Sequence, residues 1–310
     1  MKKSDPRRRN TKKGTEQEPL TRRLKLFYGP AGARRDSLIR RDEAFWNLAA
    51  YEKEWKKYPE YCDFLDPKSP IHRQKAFEKE VYLNHMQPYI DRLPEGGKVL
   101  DAGGGTGRFA VEIARRGFDV SLVDVSRRAL SAARRHLKKA GIDNVEFFLA
   151  ESEQLGFFPA GTAAAALAIE LICYSPRPEK ILESLHRALE PGGLLLFSVE
   201  NLHGALLGDG RLEPDDVAEA LAKGEVRVPG YLYVKYYSKK ELRELLVGNG
   251  FKLLSIRGCQ YTSSGPFDSL ARRALREGKP ETLHGVERLC ASDPLLRRLP
   301  RAWFAAAEKV

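Results

Sequence analysis

The sequence predicts an α/β fold built on a doubly wound, mostly parallel sheet. Three observations carry this. A short apolar run, Val99 and Leu100, leads through Asp101 into a glycine turn at 103–107, and Phe109, Ala110, Ile113 and Ala114 then fall at helical spacing. Strand-like runs alternate with amphipathic helical segments over most of the chain, as in parallel sheets with helices on both faces. One run, 163–169, is apolar throughout, as expected of a strand buried on both faces.

The elements follow in order. Residues 1–35 are rich in charge, proline and glycine and read as a basic disordered tail. Residues 36–94 read as a helical segment ahead of the sheet. Leu38, Phe45, Leu48, Ala49 and Trp55 share one face of a helix at 36–60, and a second helix spans about 71–93. After the glycine turn, Gly117 ends one helix and 119–123 form a second strand closed by Asp124. Ser126 is placed to cap a helix with Leu130, Ala133 and Leu137 inward. Strands at 144–149, 163–169 and 194–199 follow, the last two separated by a helix opened by Pro178. Residues 201–236 form an insertion, with a short helix near 214–223 and an aromatic run at 231–237. Ser238 and Glu241 spell a capping box for the next helix. A sixth strand at 251–256, helices at 266–278 and 280–290, and a last strand at 302–307 complete the count.

Composition narrows the class. The chain has 310 residues, 42% of them hydrophobic, enough for one large domain with additions. Its net charge of +11 is uneven: residues 1–35 hold 12 Lys or Arg against 3 Asp or Glu, so the other 275 carry only +2. A basic tail on a nearly neutral body is either a solvated extension or an arm for RNA phosphates. No apolar run has the length of a membrane span, and no apolar signal core stands at the N-terminus, so a cytoplasmic protein without a membrane partner is expected. Cys62, Cys173, Cys259 and Cys290 lie far apart, which leaves neither a metal site nor a disulfide framework to expect.

The glycine turn carries the chemistry. Glycines occupy 103, 104, 105 and 107, and 108 is Arg, where a G-x-G-x-x-G dinucleotide fingerprint needs glycine. The pattern Asp101-x-Gly103-x-Gly105-x-Gly107 resembles the first motif of class I S-adenosylmethionine-dependent methyltransferases, of the type 11-like group. Leu189-Glu-Pro-Gly-Gly193, and the stretch from Tyr237 to Phe251, resemble later segments of that family. The resemblance implies a Rossmann-like, seven-stranded sheet with N-terminal helices forming a lid, and an insertion after the fifth strand on the substrate side. It implies S-adenosyl-L-methionine as cofactor, bound by Asp101, Gly103, Gly105, Gly107, Asp124, Val125, Glu151, Ser152 and Glu170.

Each role has a physical reason. Asp101 holds the loop or accepts from the cofactor's amino group. Gly103 and Gly105 let backbone pass beside the ligand. Asp124 is a carboxylate able to accept from both ribose hydroxyls. Glu151 stands where relatives carry a shorter acid near the adenine, and Glu170 matches a family glutamate. Tyr174 occupies the family's usual His position, and Ala164 that of an Asp. A shorter resemblance, at Asn201-Leu-His203-Gly204 and in the C-terminal helices, is to bacterial tRNA methyltransferases that esterify a carboxymethoxy group on the wobble uridine. His203 is the candidate base, and Arg73 a candidate for the cofactor carboxylate. The expected function is methyl transfer to an O or N atom of a small molecule. Its alternatives are a tRNA methyltransferase using the basic tail, and a non-catalytic cofactor-binding scaffold.

Overall fold

The computed structural model describes residues 51–53, 55–57, 59–204, 213–226, 233–263 and 267–310. The expected tail at 1–35, most of the helix at 36–60, and residues 205–212 and 227–232 of the insertion lie outside them. The described strands are β1 (Lys98–Ala102), β2 (Asp119–Asp124), β3 (Val145–Leu149), β4 (Ala163–Ala168), β5 (Leu189–Glu200), β6 (Glu225–Val226), β7 (Val234–Lys235), β8 (Phe251–Cys259) and β9 (Ala302–Lys309). The helices are α1 (Pro59–Cys62), α2 (His72–Ile90), α3 (Ala110–Ala114), α4 (Arg127–Lys139), α5 (Pro178–Ala188), α6 (Pro214–Lys223), α7 (Lys239–Gly248), α8 (Asp268–Arg276) and α9 (Pro280–Ser292).

Seven strands form one sheet in the order β3-β2-β1-β4-β5-β9-β8, and β6 and β7 form a separate ribbon. β1 to β5 pair in parallel, while β9 runs antiparallel to β5 and β8. Strand order reverses between β1 and β4. Connections therefore leave in opposite directions at the carboxyl ends of these two strands and open a crevice.

The expected fold is present, with local differences. β4 reads AAAALA and is wholly buried. Ala165 and Leu167 face one core cluster, and Ala166 and Ala168 the other, so small side chains let both helical layers approach. α2, α3 and α4 cover the first face through Val81, Val111 and Leu130. α5 and α7 cover the second through Leu182 and Leu246. Ser126 caps α4 by accepting from Ala129 N–H at 3.2 Å, and Ser238 with Glu241 forms the expected capping box. The helix expected from Arg108 begins at Ala110, because Gly107 at φ +82° first turns the chain. The sixth sheet strand runs on to Cys259, because β9 pairs with it along its whole length. In the aromatic run only Val234 and Lys235 are strand, paired with β6.

β9 is the wedge between β5 and β8. Phe304 on it is fully buried, pairs with Ser198 of β5 and stacks on His85 at 5.5 Å. Removing that ring leaves a cavity in the core. Phe304→Ala should cost about 3–5 kcal/mol in urea unfolding; a loss under about 1 kcal/mol would show that β9 is not part of the cooperative core.

Candidate functional site

The site is built at the crevice. β1 ends with Asp101 on its penultimate residue, and the chain turns at once toward β2. Gly103 and Gly104 N–H both donate to Val123 O, at 2.8 and 3.1 Å, which folds the loop over the end of β2. Side chains are excluded here. A Cβ on Gly103, at φ +69°, would stand 2.8 Å from Leu171 Cδ1, and one on Gly104 would stand 2.7 Å from Asp101 Oδ2. Gly105, at φ +55°, has open space on that side. The loop thus presents bare backbone to a cavity of about 250 Å³.

Of the expected site residues, Asp101, Gly103, Gly105, Asp124, Val125, Glu151, Ser152 and Glu170 line that cavity together. Gly107 does not. A Cβ there would stand 2.9 Å from Leu137 Cδ1, so this glycine lets the loop seat on α4. His203 is exposed and also off the lining. Arg73 points elsewhere, donating to the carbonyls of Leu275 and Arg276 at the end of α8 at 3.4 and 3.3 Å. Tyr174 is on the lining, with its hydroxyl 3.5 Å from Glu200 Oε1.

Two carboxylates dominate one end. Asp124 accepts from Gly105 N–H at 2.9 Å and from Ser126 N–H at 2.8 Å. Burial pushes its pKa up to about 6 against the pull of those two backbone donors. Asp101 has less help. It is 2% exposed, and its Oδ2 has no hydrogen-bond partner among the described residues. Burial, and then the neighbouring Asp124 charge, raise it to about 7, with Arg108 pulling the other way.

Glu170 is held differently. Its backbone is left-handed, φ +55°, an uncommon state for a residue with a side chain. Its N–H donates to Ser198 Oγ at 2.9 Å. Its carboxylate receives Arg301 Nη2 at 2.9 Å, Arg108 Nη2 at 3.3 Å and Tyr82 O–H at 3.2 Å. Burial alone would raise this carboxyl, but Arg301, Lys75 and Arg108 outweigh it and keep the group ionised far below the usual carboxylate range. Glu78 and Glu200 complete the cluster, with Lys75 Nζ 2.6 Å from Glu78 and Arg301 Nη2 3.0 Å from Glu200. Sequence reasoning did not find this cluster. Its one local signal was Arg108, next to the glycines; Arg301 lies 131 residues from Glu170.

Comparison with known proteins gives the family. A family model described as a methyltransferase domain matches residues 73–256, more than half of the chain. A ubiquinone biosynthesis O-methyltransferase of Xanthomonas axonopodis pv. citri is 26% identical over 216 residues, 70% of this chain and 84% of that protein. One from Acinetobacter baylyi is 29% identical over 217 residues, 70% of this chain and 83% of the relative. Among solved structures, a protein from Pyrococcus horikoshii OT3 superposes with a TM-score of 0.54 at 17% identity, covering 83% of this chain and 98% of its own. An S-adenosylmethionine-dependent methyltransferase from Listeria monocytogenes gives 0.52 at 19% identity, covering 74% and 99%. At such identities these two likenesses concern the fold.

The raised Asp101 pKa has a measurable consequence. Its folded value, about 7, lies above the ordinary 3.8, so the ligand-free folded state holds a proton that the unfolded chain releases. The stability this lends is fully present below the ordinary value and is lost as pH rises through about 7. Asp101→Asn should therefore gain stability relative to wild type as pH is raised across that window, read as the difference in Tm. Parallel Tm profiles for the two proteins would refute the assignment.

Proposed function

We propose, from the premise that this chain belongs to the class I S-adenosylmethionine-dependent methyltransferase family, that its acceptor is a small molecule methylated on an oxygen or nitrogen atom. As a member of that family the chain is an enzyme, and its cofactor is S-adenosylmethionine. The residues present fit that cofactor. The glycine loop has open space beside Gly105, and a buried Asp101 oxygen on the same lining has no hydrogen-bond partner among the described residues.

The observation that carries the small-molecule reading is the composition of the cavity wall. It combines Asp101, Asp124 and the bare loop with apolar and aromatic side chains, among them Ile169, Leu171, Tyr174 and Ile181. A mostly apolar concavity with a few polar groups is the usual build of a small-molecule site. The two named relatives, O-methyltransferases of ubiquinone biosynthesis, support oxygen as the acceptor atom. The insertion supports a substrate-side role, since Val226, Val234 and Tyr236 pack with Tyr174, which lines the cavity. The segment ahead of the sheet reads as a cover: Tyr51 and Phe64 line the cavity, and Tyr82 ties α2 to Glu170. A cytoplasmic location belongs to the same reading, supported by four buried cysteines that lie far apart in the chain.

The bound cofactor supplies an electrophilic methyl group on a sulfonium. The chain's own residues have three tasks: to bind, to align and to exclude water. We assign Asp124 to the ribose hydroxyls, with Gly103 and Gly105 giving passage beside it. Val125, Glu151 and Ser152 border the adenine end. Glu170, its carboxylate already engaged, acts as a fixed wall that sets the β4 end. Gly107 supports the loop from beneath.

Two measurements test this reading. Asp124→Ala should weaken S-adenosylmethionine binding by more than about 1.5 kcal/mol in calorimetry, the low end for a charged hydrogen bond; wild-type affinity would contradict the ribose assignment. Incubating the enzyme and methyl-labelled cofactor with cell extract, then separating small molecules, RNA and protein, should leave the label among small molecules. Label confined to RNA would overturn the acceptor class and restore the tRNA alternative.

A further inference from the structure

The segment between α9 and β9 displays apolar side chains to solvent. Leu289 is 70% exposed, Leu295 75% and Leu299 37%. Exposed apolar residues scattered singly need no explanation, but these three fall within one short stretch. Leu289 lies in the last turn of α9, and Leu295 and Leu299 flank a tight turn at Leu296–Arg298. Hydrogen bonds fix the stretch in shape. Asp293 N–H donates to Leu289 O at 3.0 Å, and the Asp293 carboxylate accepts from Leu295 and Leu296 N–H, both at 2.9 Å.

Cations interleave with the leucines. Arg288, Arg297 and Arg298 are exposed, and none makes an ion pair among the described residues. Lys239, the first residue of α7, stands 4.5 Å over the Trp303 ring, and burial, then the nearby Arg297 charge, lower its pKa. The acids of the stretch are engaged elsewhere. Glu287 is buried against Thr262, and Asp293 holds the turn. The stretch also stands at the sheet edge where the crevice opens. Asn201, directly after β5, donates to the carbonyls of Arg298 and Pro300 at 3.2 and 2.8 Å, and Ala302 of β9 pairs with Glu200 at the carboxyl end of β5. The parallel strands β1 and β4 end on that same edge.

We infer that residues 288–299 dock on an anionic lipid surface, the leucines entering the headgroup boundary while the arginines and Lys239 meet lipid phosphates. Charge selects this occupant. A second copy of the chain, paired about a two-fold axis, would set these cations against themselves. An anionic bilayer instead places negative charge directly above an apolar layer, which suits arginines and leucines interleaved on one turn. The contact is peripheral, since no described helix is long and apolar enough to cross a membrane. It amends the expectation of a chain without a membrane partner, and it brings the edge that bears the cavity to the bilayer.

The test is cosedimentation of the full chain with two kinds of vesicle, phosphatidylcholine alone and phosphatidylcholine with phosphatidylglycerol in equal amounts. Wild type should bind the mixed vesicles at least about tenfold more tightly, with the difference shrinking at high salt. The double variant Leu289→Ser, Leu295→Ser should bind the mixed vesicles about tenfold or more weakly than wild type, as loss of two inserted apolar side chains requires. Arg297→Gln with Arg298→Gln should lose a similar factor. All six surface and tail features other than those substituted are shared, so a loss in the leucine variant reports this stretch and not the basic residues 1–35. No binding by wild type, or equal binding by all three proteins, would overturn the inference. A wild-type dimer in sedimentation velocity that vesicles leave intact and the leucine variant dissolves would also overturn it, and would assign the surface to a second copy.

Discussion

The site depends on two parallel strands ending side by side. β1 and β2 pair in register from Lys98 with Asp119 to Ala102 with Val123, so their carboxyl ends reach the same level. The loop that leaves β1 must cross β2 at once, and the Val123 carbonyl takes two of its N–H groups. That crossing brings Gly105 N–H onto the Asp124 carboxylate and leaves Asp101 beside it. Two acids are thereby buried close together, where like charge and desolvation resist ionisation. A positive charge brought beside them would relieve that cost.

A second constraint fixes the far side. Arg301 stands just before β9 and reaches Glu170 after β4 and Glu200 at the end of β5. Tyr82 of α2 reaches the same Glu170. One guanidinium and one carboxylate therefore connect the antiparallel strand, the parallel core and the helix ahead of the sheet. Breaking such a buried pair leaves an uncompensated charge, which is why the cluster specifies an arrangement more than it adds stability. The left-handed backbone at Glu170 is compatible with this, since Ser198 Oγ receives its N–H and Arg301 its carboxylate. Strain at one residue is tolerated where several contacts determine its position.

Legibility in the sequence followed the range of the forces. The strand–glycine turn–helix at 98–114 was readable because conformation there is set by neighbours a few residues apart. Asp124 was readable from its place at the end of an apolar run, and the caps at Ser126 and Ser238 from local side-chain chemistry. Strand order was expected only through resemblance, and β8 was underestimated because its length is set by β9, which follows some fifty residues later in the chain. The buried cluster was invisible. Nothing local in the sequence singles out Arg301 or Glu200, and only the folded sheet makes them neighbours. Gly107 marks a subtler gap: packing on Leu137 calls for glycine there, a reason the spacing alone does not give.

Arg108 stands where the two kinds of glycine loop diverge. As a departure from a dinucleotide pattern it excludes one cofactor, because a side chain stands where close approach of helix and pyrophosphate needs none. In the folded chain its guanidinium stands 4.7 Å over the Phe109 ring and lines the cavity just ahead of α3. A pyrophosphate would be met there by helix N–H groups and glycine, and this chain sets a charged side chain in that place. Bare backbone at Gly103 and Gly105, with a fixed cation one turn beyond, separates this crevice from the dinucleotide type sharing its topology.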